Sequence, residues 1–181
     1  NTGMVLVASK LGKDNMRDYM MSYGIGEKTG IDLPNETSGL VSNLKSPRDL
    51  EYANAAFGQG IALTPIEAVR ALSSLGNGGN LVVPHLVKEI KYEDGTKKEI
   101  TYPTKRVKFS EKTSEEITSM LVTVMDKSLK GGLAKFDHYS VAVKTGTAQV
   151  ARSDGGGYYE DRHTHSFFGY FPAYDPKFLV F

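Results

Sequence analysis

The amino-acid sequence predicts a mixed α/β (α+β) domain in which an antiparallel sheet is flanked by helices. Apolar residues recur mainly with helical spacing in the first part of the chain and with a period of two from Val141 onward. The last two strand-like segments are separated by only four turn-forming residues, 174–177, which favours antiparallel pairing. No internal repeat or linker-like tract divides the chain, so we expect one domain over residues 1–181.

Two helices are predicted at the start of the chain. Residues 2–11 are apolar enough for a short buried helix. Asp14 is a suitable cap for a second helix, and Gly24 and Gly26 end it. The inner face of this helix has apolar side chains at i, i+3, i+4 and i+7, namely Met16, Tyr19, Met20 and Tyr23. The following segment, 27–49, is polar and rich in turns.

The clearest helix start in the chain is at Thr64. Thr64 is a candidate N-cap, Pro65 takes the first helical position, and Glu67 completes a capping box. The inward residues repeat at threes: Ile66, Val69, Leu72 and Leu75. We expect the helix to stop at residues 77–79, which read Asn-Gly-Gly.

A hairpin and another helix follow. A strand is predicted over Leu81–Tyr92, a turn at Asp94-Gly95, and a second strand over Lys98–Tyr102. An amphipathic helix is predicted from about Glu111 to Ser128, stopped by the glycines at 131 and 132. Its inward residues are Ile117, Met120, Leu121 and Val124.

The period of two predicts three final strands, over Val141–Ala148, Ser166–Ala173 and Phe178–Phe181. The gap between the first two, Gln149–His165, contains three consecutive glycines and is expected to be a mobile surface loop.

Composition excludes several classes of site. The chain has 181 residues and no cysteine, which excludes disulfides, thiolate metal sites and a cysteine nucleophile. With 22 basic and 21 acidic residues the net charge is +1, so there is no general electrostatic footprint for nucleic acid or an anionic membrane. No stretch is long enough for a membrane span or a signal peptide. Because the chain opens on Asn1 and ends in a strand just begun, we expect a fragment.

The motif Lys-Thr-Gly-Thr at residues 144–147 is the strongest candidate site. Along an exposed strand, Lys144 supplies positive charge, and Thr145 and Thr147 supply hydroxyl donors on one face. Gly146 leaves room for a ligand backbone close to the strand. The alternative is a polar edge strand whose lysine discourages aggregation. Lys-Thr-Gly also occurs at residues 28–30 without a strand before it, so only context separates the two copies.

Four blocks supply that context. They are K-T-G-T-A-Q at 144–149, H-S-F-F-G-Y-F-P at 165–172, F-G-Q-G at 57–60 leading through L-T-P at 63–65 to N-G-G at 77–79, and Y-G-I-G at 23–26 with T-G-I-D-L-P at 29–34. Together they resemble the penicillin-binding protein transpeptidases, and within them the monofunctional class B enzymes. The resemblance covers nearly the whole chain and implies the penicillin-binding protein transpeptidase or serine β-lactamase-like fold, incomplete at both ends.

The resemblance implies a D-alanyl–D-alanine transpeptidase that forms a serine acyl-enzyme and is trapped by β-lactams. Lys144, Thr145, Gly146 and Thr147 would bind the substrate, whose terminal carboxylate contacts Lys144 and both threonine hydroxyls. The backbone N–H of Thr147 would be an oxyanion-hole donor. Asn1 fits the asparagine of the family's Ser-x-Asn motif. Neither a metal nor an organic cofactor is implied.

The family's nucleophile lies in a Ser-x-x-Lys motif upstream of Ser-x-Asn, and we expect it to be absent from this chain. The one literal match, Ser42 to Lys45, comes after Asn1 and precedes Pro47, so we interpret Ser42 as a decoy. The fragment alone is therefore expected to be inactive.

The implied partners are peptidoglycan stem peptides and β-lactam antibiotics, with cell-wall synthesis or divisome proteins contacted through parts outside this chain. The implied location is the extracytoplasmic face of the bacterial cytoplasmic membrane, with an anchor outside this chain. A serine β-lactamase or β-lactam sensor, and a non-catalytic scaffold with a degenerate transpeptidase fold, are alternatives. His163 and His165 would share a strand face near Asp161, but no third metal ligand is evident.

Overall fold

The computed structural model describes residues 1–181. Two helices begin the chain, α1 at Thr2–Leu11 and α2 at Lys13–Ser22. The predicted burial of α1 is wrong, because no α1 residue is buried and Leu6 is 58% exposed. The apolar side chains of α1 are distributed around the helix, but α1 packs only against α2 and a later helix, Asp49–Ala55.

Gly12 separates the first two helices and takes the N-cap position of α2, with φ of 82°. The predicted cap, Asp14, instead lies in the first turn of α2, where its negative charge interacts favourably with the helix dipole. It also pairs with Arg17 at 2.9 Å. On the predicted inner face Met16 is buried, whereas Tyr19 is 39% exposed. The helix ends at Ser22, just before the two predicted glycines.

The first hydrophobic cluster joins α2 to the turn-rich segment behind it. Its buried members are Met16, Ile25, Val41, Leu44, Tyr52 and Ala55. A 3-10 helix over Ser42–Lys45 and the helix α3 over Asp49–Ala55 supply half of them. The Tyr52 hydroxyl donates a hydrogen bond to the carbonyl of Leu44, so the ring is held at both ends.

Helix α4 spans Pro65–Gly76, and its predicted capping box is confirmed. The N–H of Glu67 donates to Thr64 Oγ1 at 3.3 Å, and the N–H of Thr64 donates to Glu67 Oε2 at 2.7 Å. The predicted stop is also confirmed, since Asn77 is the C-cap and Gly78 has φ of 73°. The inward face differs from the repeat at threes, and its buried residues are Glu67, Ala68, Arg70, Ala71 and Ser74.

The Glu67 carboxylate binds more than its own cap. Its Oε1 accepts hydrogen bonds from the N–H groups of Gly26 and Gly39, both at 3.0 Å. A side chain at Gly39 would overlap Glu67 and the carbonyl of Ala62, so glycine is required there. Glu67 is 1% exposed, and its carboxylate therefore ties two distant loops to the start of α4 away from water.

The long strand predicted over Leu81–Tyr92 is divided. Strand β1, Asn80–Leu81, pairs with β4, Lys105–Arg106, and β2, Glu89–Lys91, pairs with β3, Lys97–Glu99. Pro84 lies in the interruption, where it has no N–H to donate to a ladder. The predicted hairpin turn at Asp94-Gly95 is confirmed.

Helix α5 spans Glu111–Thr123 and continues through a π-helical turn at Val124–Ser128, which confirms the predicted extent. A 3-10 turn that contains the two predicted glycines follows over Leu129–Gly132. The predicted inner face is partly wrong, because Met120 is 66% exposed. The buried side chains are instead Ser114, Thr118, Leu121 and Met125. None of the helices has the length and apolar character required to cross a membrane.

The last third of the chain forms a three-stranded antiparallel sheet in the order β5-β6-β7. The strands are Ala142–Ala151, Tyr158–Phe171 and Phe178–Val180. The predicted loop over 149–165 is wrong, because both strands continue through most of it. The three glycines occupy only the tip, where Gly155 and Gly157 have positive φ.

One sheet face packs on the helices. Ala142 and Tyr170 lie opposite each other in the register and form a second cluster with Leu121 and Ala173. The hydroxyls of Tyr170 and Thr118 lie 2.7 Å apart. This contact holds β6 against α5. The strand order makes β5 the edge strand on one side of the sheet.

Replacing Glu67 by alanine should lower the free energy of unfolding by at least ~3 kcal/mol, because three backbone N–H groups lose their acceptor in a buried position. Urea denaturation of the two proteins would measure this difference. Glu116→Ala is the matched control on the exposed face of α5, with an expected change within about 0.5 kcal/mol. Equal effects from the two substitutions would contradict the role given to Glu67.

Candidate functional site

A cavity of about 470 Å³ lies between the helix-facing side of the sheet and helices α2 and α4. Its walls are mostly apolar and include Met20, Tyr23, Ala68, Ala71, Leu72 and Phe168. Its polar side is supplied by Lys144, Thr145 and Gly146 of strand β5 and by Ser166 of strand β6. The structure therefore places three of the predicted site residues on one concave surface.

Gly146 lies directly opposite a serine on the neighbouring strand. The register pairs Gly146 with Ser166, and a Cβ on residue 146 would overlap the Ser166 hydroxyl. The neighbouring side chain therefore approaches Gly146 closely inside the domain, and the room expected there for a ligand backbone stays a prediction.

Lys144 and the two threonines occupy opposite faces of β5. Lys144 pairs with Phe168 on the helix-facing side, whereas Thr145 and Thr147 pair with Phe167 and His165 on the other. The predicted common face for the two threonines is confirmed. Because β5 is an edge strand, side chains from both faces can converge on a ligand that lies along its unpaired edge.

The Lys144 ammonium is exposed and donates a hydrogen bond to the carbonyl of Thr145 at 2.7 Å. A lysine that binds only a neutral backbone oxygen keeps its full positive charge for an anion. Thr147 is also exposed, and its hydroxyl lies 3.3 Å from Nδ1 of His165. Chemically, this edge offers one cation and two hydroxyls, which suits a carboxylate.

Asn1 does not line this cavity. It takes the N-cap position of α1, is exposed, and makes no side-chain capping hydrogen bond. It is not among the residues that line the cavity, and neither is Thr147. The structure thus brings together Lys144, Thr145 and Gly146, with Thr147 next along the strand, and leaves the assignment of Asn1 to the resemblance.

The second Lys-Thr-Gly copy, at residues 28–30, lies in no strand and is engaged internally. Thr29 is 2% exposed. Its N–H donates to the Glu36 carboxylate at 2.6 Å, its hydroxyl donates to the same oxygen, and the N–H of Gly30 binds the second oxygen at 3.1 Å. This threonine hydroxyl is therefore not free for a ligand.

The two other candidates from the sequence are also located. Ser42 and Lys45 begin and end a 3-10 helix, where residues three apart share a side, but both are exposed and neither lines the cavity. The rings of His163 and His165 are 6.2 Å apart on one face of β6. Nowhere in the structure do three histidine, cysteine or acidic side chains meet as a metal site would require.

The fold has counterparts in known proteins. The family model described as the penicillin-binding protein transpeptidase domain matches residues 1–181. The chain belongs to the penicillin-binding protein transpeptidase family.

Individual relatives of this transpeptidase sequence match along its whole length. It is 39% identical over 184 residues to stage V sporulation protein D of Bacillus subtilis, and the alignment covers all of this chain and 28% of that protein. It is 29% identical over 180 residues to the probable peptidoglycan D,D-transpeptidase PenA of Neisseria gonorrhoeae, and that alignment covers 99% of this chain and 29% of that protein. The chain therefore spans about three tenths of the length of these relatives.

A solved structure agrees with the transpeptidase fold. Penicillin-binding protein 3 of Mycobacterium tuberculosis, in complex with aztreonam, superposes with a TM-score of 0.88 at 29% identity. The match covers 98% of this chain and 41% of that one. The predicted α/β fold of the penicillin-binding protein type is confirmed.

Sequence reasoning missed the residues that line the cavity outside β5. Ser166 and Phe168 reach the cavity because their register sets them opposite Gly146 and Lys144. The period of two in β6 was a usable signal for them, once the pairing of the two strands was assumed. The contribution of Tyr23 depends on how α2 packs, and no local pattern reports that.

The hydrogen bonds to Glu36 lead to a prediction about how stability depends on pH. Burial raises the pKa of the Glu36 carboxyl, but hydrogen bonds from Thr29 and Gly30 and the charge of Lys28 outweigh it, so the pKa lies below its ordinary value of 4.5. Because the folded state has the lower pKa, this stabilisation is complete above about pH 4.5 and is lost as the pH falls through the folded-state pKa.

Glu36→Gln should therefore lose less stability than the unaltered protein between pH 7 and about pH 3. Urea denaturation at the two pH values measures the difference. Glu27→Gln, at an exposed glutamate without a side-chain hydrogen bond, is the control and should follow the unaltered protein. An acid sensitivity unchanged by Glu36→Gln would contradict the assignment.

Proposed function

We propose that this chain is part of a peptidoglycan D,D-transpeptidase that cross-links stem peptides through a serine acyl-enzyme and is inhibited by β-lactams. The observation that carries the proposal is the edge strand β5, which presents Lys144, Thr145 and Thr147 beside a cavity with apolar walls. The identity of the relatives supports it. One is named a probable peptidoglycan D,D-transpeptidase, and related structures hold aztreonam and ampicillin.

The proposed reaction is acyl transfer by nucleophilic catalysis. A serine hydroxyl attacks the carbonyl carbon of the penultimate D-alanine, and a general-base lysine takes the serine proton. The carbon–nitrogen bond then breaks, and the terminal D-alanine leaves as an amine that receives a proton. An amine from a neighbouring stem peptide attacks the ester, releases the serine and forms the cross-link. The serine and its lysine belong to a part of the longer protein outside this chain.

Lys144 and the threonine hydroxyls bind the terminal carboxylate in this proposal. The ammonium approaches along the cavity side of β5, and the hydroxyls approach from the opposite face, so the carboxylate lies at the unpaired edge. This arrangement matches one anionic group to one cation and two neutral donors, which are the contacts a carboxylate prefers.

The oxyanion is stabilised by the N–H of Thr147. Along a strand, the N–H and C=O of one residue point to the same side, and successive residues alternate. The Thr145 carbonyl is reached by the Lys144 side chain, which supports its pointing to the unpaired edge. Thr147 follows two residues later, so its N–H points to the same edge. Loss of one such donor in an enzyme typically costs about 3–4 kcal/mol of transition-state stabilisation.

Asn1 is assigned by resemblance to the asparagine of a Ser-x-Asn motif, where it would contact the substrate amide and the general-base lysine. We further propose that the whole protein works at the extracytoplasmic face of the bacterial membrane, because its substrate is assembled there. Cell-wall synthesis or divisome proteins would contact it through regions outside this chain.

Lys144→Ala in the longer protein should slow acylation by benzylpenicillin about 10- to 100-fold, because a charge-assisted hydrogen bond to the ligand carboxylate is lost. Stopped-flow or fluorescent-penicillin competition measures the rate, and circular dichroism confirms that the fold is intact. Lys28→Ala, in the other Lys-Thr-Gly copy, is the matched control with an unchanged rate expected. Wild-type acylation by the Lys144→Ala protein would remove Lys144 from the site.

The chain of residues 1–181 alone should form no covalent adduct with a fluorescent penicillin, because Ser42 lies outside the cavity and has no activating partner there. Intact-mass spectrometry after incubation tests this, with the acylated longer protein as the positive control. A penicilloyl adduct on Ser42 would overturn its interpretation as a decoy.

A further inference from the structure

The hydroxyl of Thr147 has one side-chain partner, and it is a histidine. Thr147 and His165 are direct cross-strand neighbours in the register of β5 and β6. Thr147 Oγ1 lies 3.3 Å from His165 Nδ1, and both side chains are exposed to solvent. The pair therefore lies where a ligand carboxylate would approach Thr147, and either atom can be the donor.

The surroundings of His165 are simple. At residue 165, β5 is the only strand paired with β6, because β7 pairs with residues 169–171. On the same face of β6, His163 is two residues away, with its ring centroid 6.2 Å from that of His165. Asp161 follows the same alternation four residues earlier, about 13 Å along the strand. Lys144 lies on the opposite face of β5.

The direction of this hydrogen bond depends on the protons of the imidazole. A neutral ring with a bare Nδ1 accepts the hydroxyl hydrogen of the threonine, and that hydrogen is then not available to a ligand. A protonated ring donates from Nδ1 to the threonine oxygen, so the hydroxyl hydrogen must point elsewhere. Histidine is the side chain that ordinarily changes between these forms at about pH 5 to 8.

We propose that His165 is a positioning residue that sets the direction of the Thr147 hydroxyl, and that its protonated form frees this hydroxyl to donate to the carboxylate of the substrate or of a β-lactam. This inference rests on the proposed function. A carboxylate-bearing ligand stays ionised above about pH 5, so the preference at acidic pH comes from the protein.

The test compares acylation of the longer protein by benzylpenicillin across about pH 5.5 to 8. The ratio of wild-type to His165→Ala rate constants is the quantity of interest, because titration of other catalytic groups cancels in it. We expect this ratio to be roughly tenfold higher near pH 5.5 than near pH 8, because the neutral imidazole engages the hydroxyl hydrogen at pH 8, whereas the alanine variant leaves it free at both pH values. His163→Ala, on the same face but without a contact to Thr147, is the control, and its ratio should stay flat.

A second variant and a double-mutant cycle keep the result specific. His165→Gln, which does not titrate, should show the same loss of pH dependence if the alanine variant folds poorly. In a Thr147→Val background, His165→Ala should have no further effect, because the hydroxyl it directs is gone. A ratio that does not change with pH, or a His165 effect that persists without the hydroxyl, would overturn the inference. A wild-type protein that is never acylated would instead refute the proposed function.

Discussion

The Glu67 carboxylate is the interaction on which the arrangement of the site depends. It lies at the first turn of α4 and collects three backbone N–H groups from residues 26, 39 and 64. Through these bonds, the loop after α2, the segment before the 3-10 helix and the start of α4 are held at one point. Because no buried side-chain polar atom in the structure lacks a partner, this carboxylate is part of a fully satisfied interior.

Helix α4 transmits this constraint to the sheet. Its Ala68 and Ala71 line the cavity, and small side chains there leave the space between α4 and Lys144. On the next turns, Ser74 is buried, and the carbonyl of Leu75 accepts a hydrogen bond from Ser114 of α5. Helix α5 in turn fixes Tyr170 of β6. A chain of contacts thus runs from one carboxylate through α4 and α5 to the sheet, and α5 packs directly against the edge strand β5.

Local chemistry determined what could be predicted from the sequence. The capping box at Thr64, the Asp94-Gly95 turn and the alternation in β5 depend on residues within a few positions of one another, and each was predicted. The partners of Glu67 are 28 and 41 residues away, and no local pattern identifies them. The same reason explains the exposed Met120. Several faces of α5 carry apolar residues, and packing against the sheet selects the one with Leu121.

The same distinction between local and long-range features applies to the candidate site. The Lys-Thr-Gly-Thr motif and its strand were predictable, because residue type and alternation suffice. The cavity was not, because it is formed by α2, α4 and the sheet together. The glycines at 155–157 misled the prediction of a loop, since glycine marks a change of chain direction and does not report how far the strands run on either side of it. Here it marks only the hairpin tip.

The alternation of β5 also limits how this part of the sequence can vary in length. Ala142 is fixed in the core, and two positions later Lys144 emerges on the same face. One residue inserted between them would send the lysine to the face now held by the threonines and the threonines to the face now held by the lysine. Insertions before the motif must therefore come in pairs or be absorbed by a bulge. At the hairpin tip, residues 152–157, insertions can have an odd or an even number of residues, because a change in length there does not exchange the two faces of the strands.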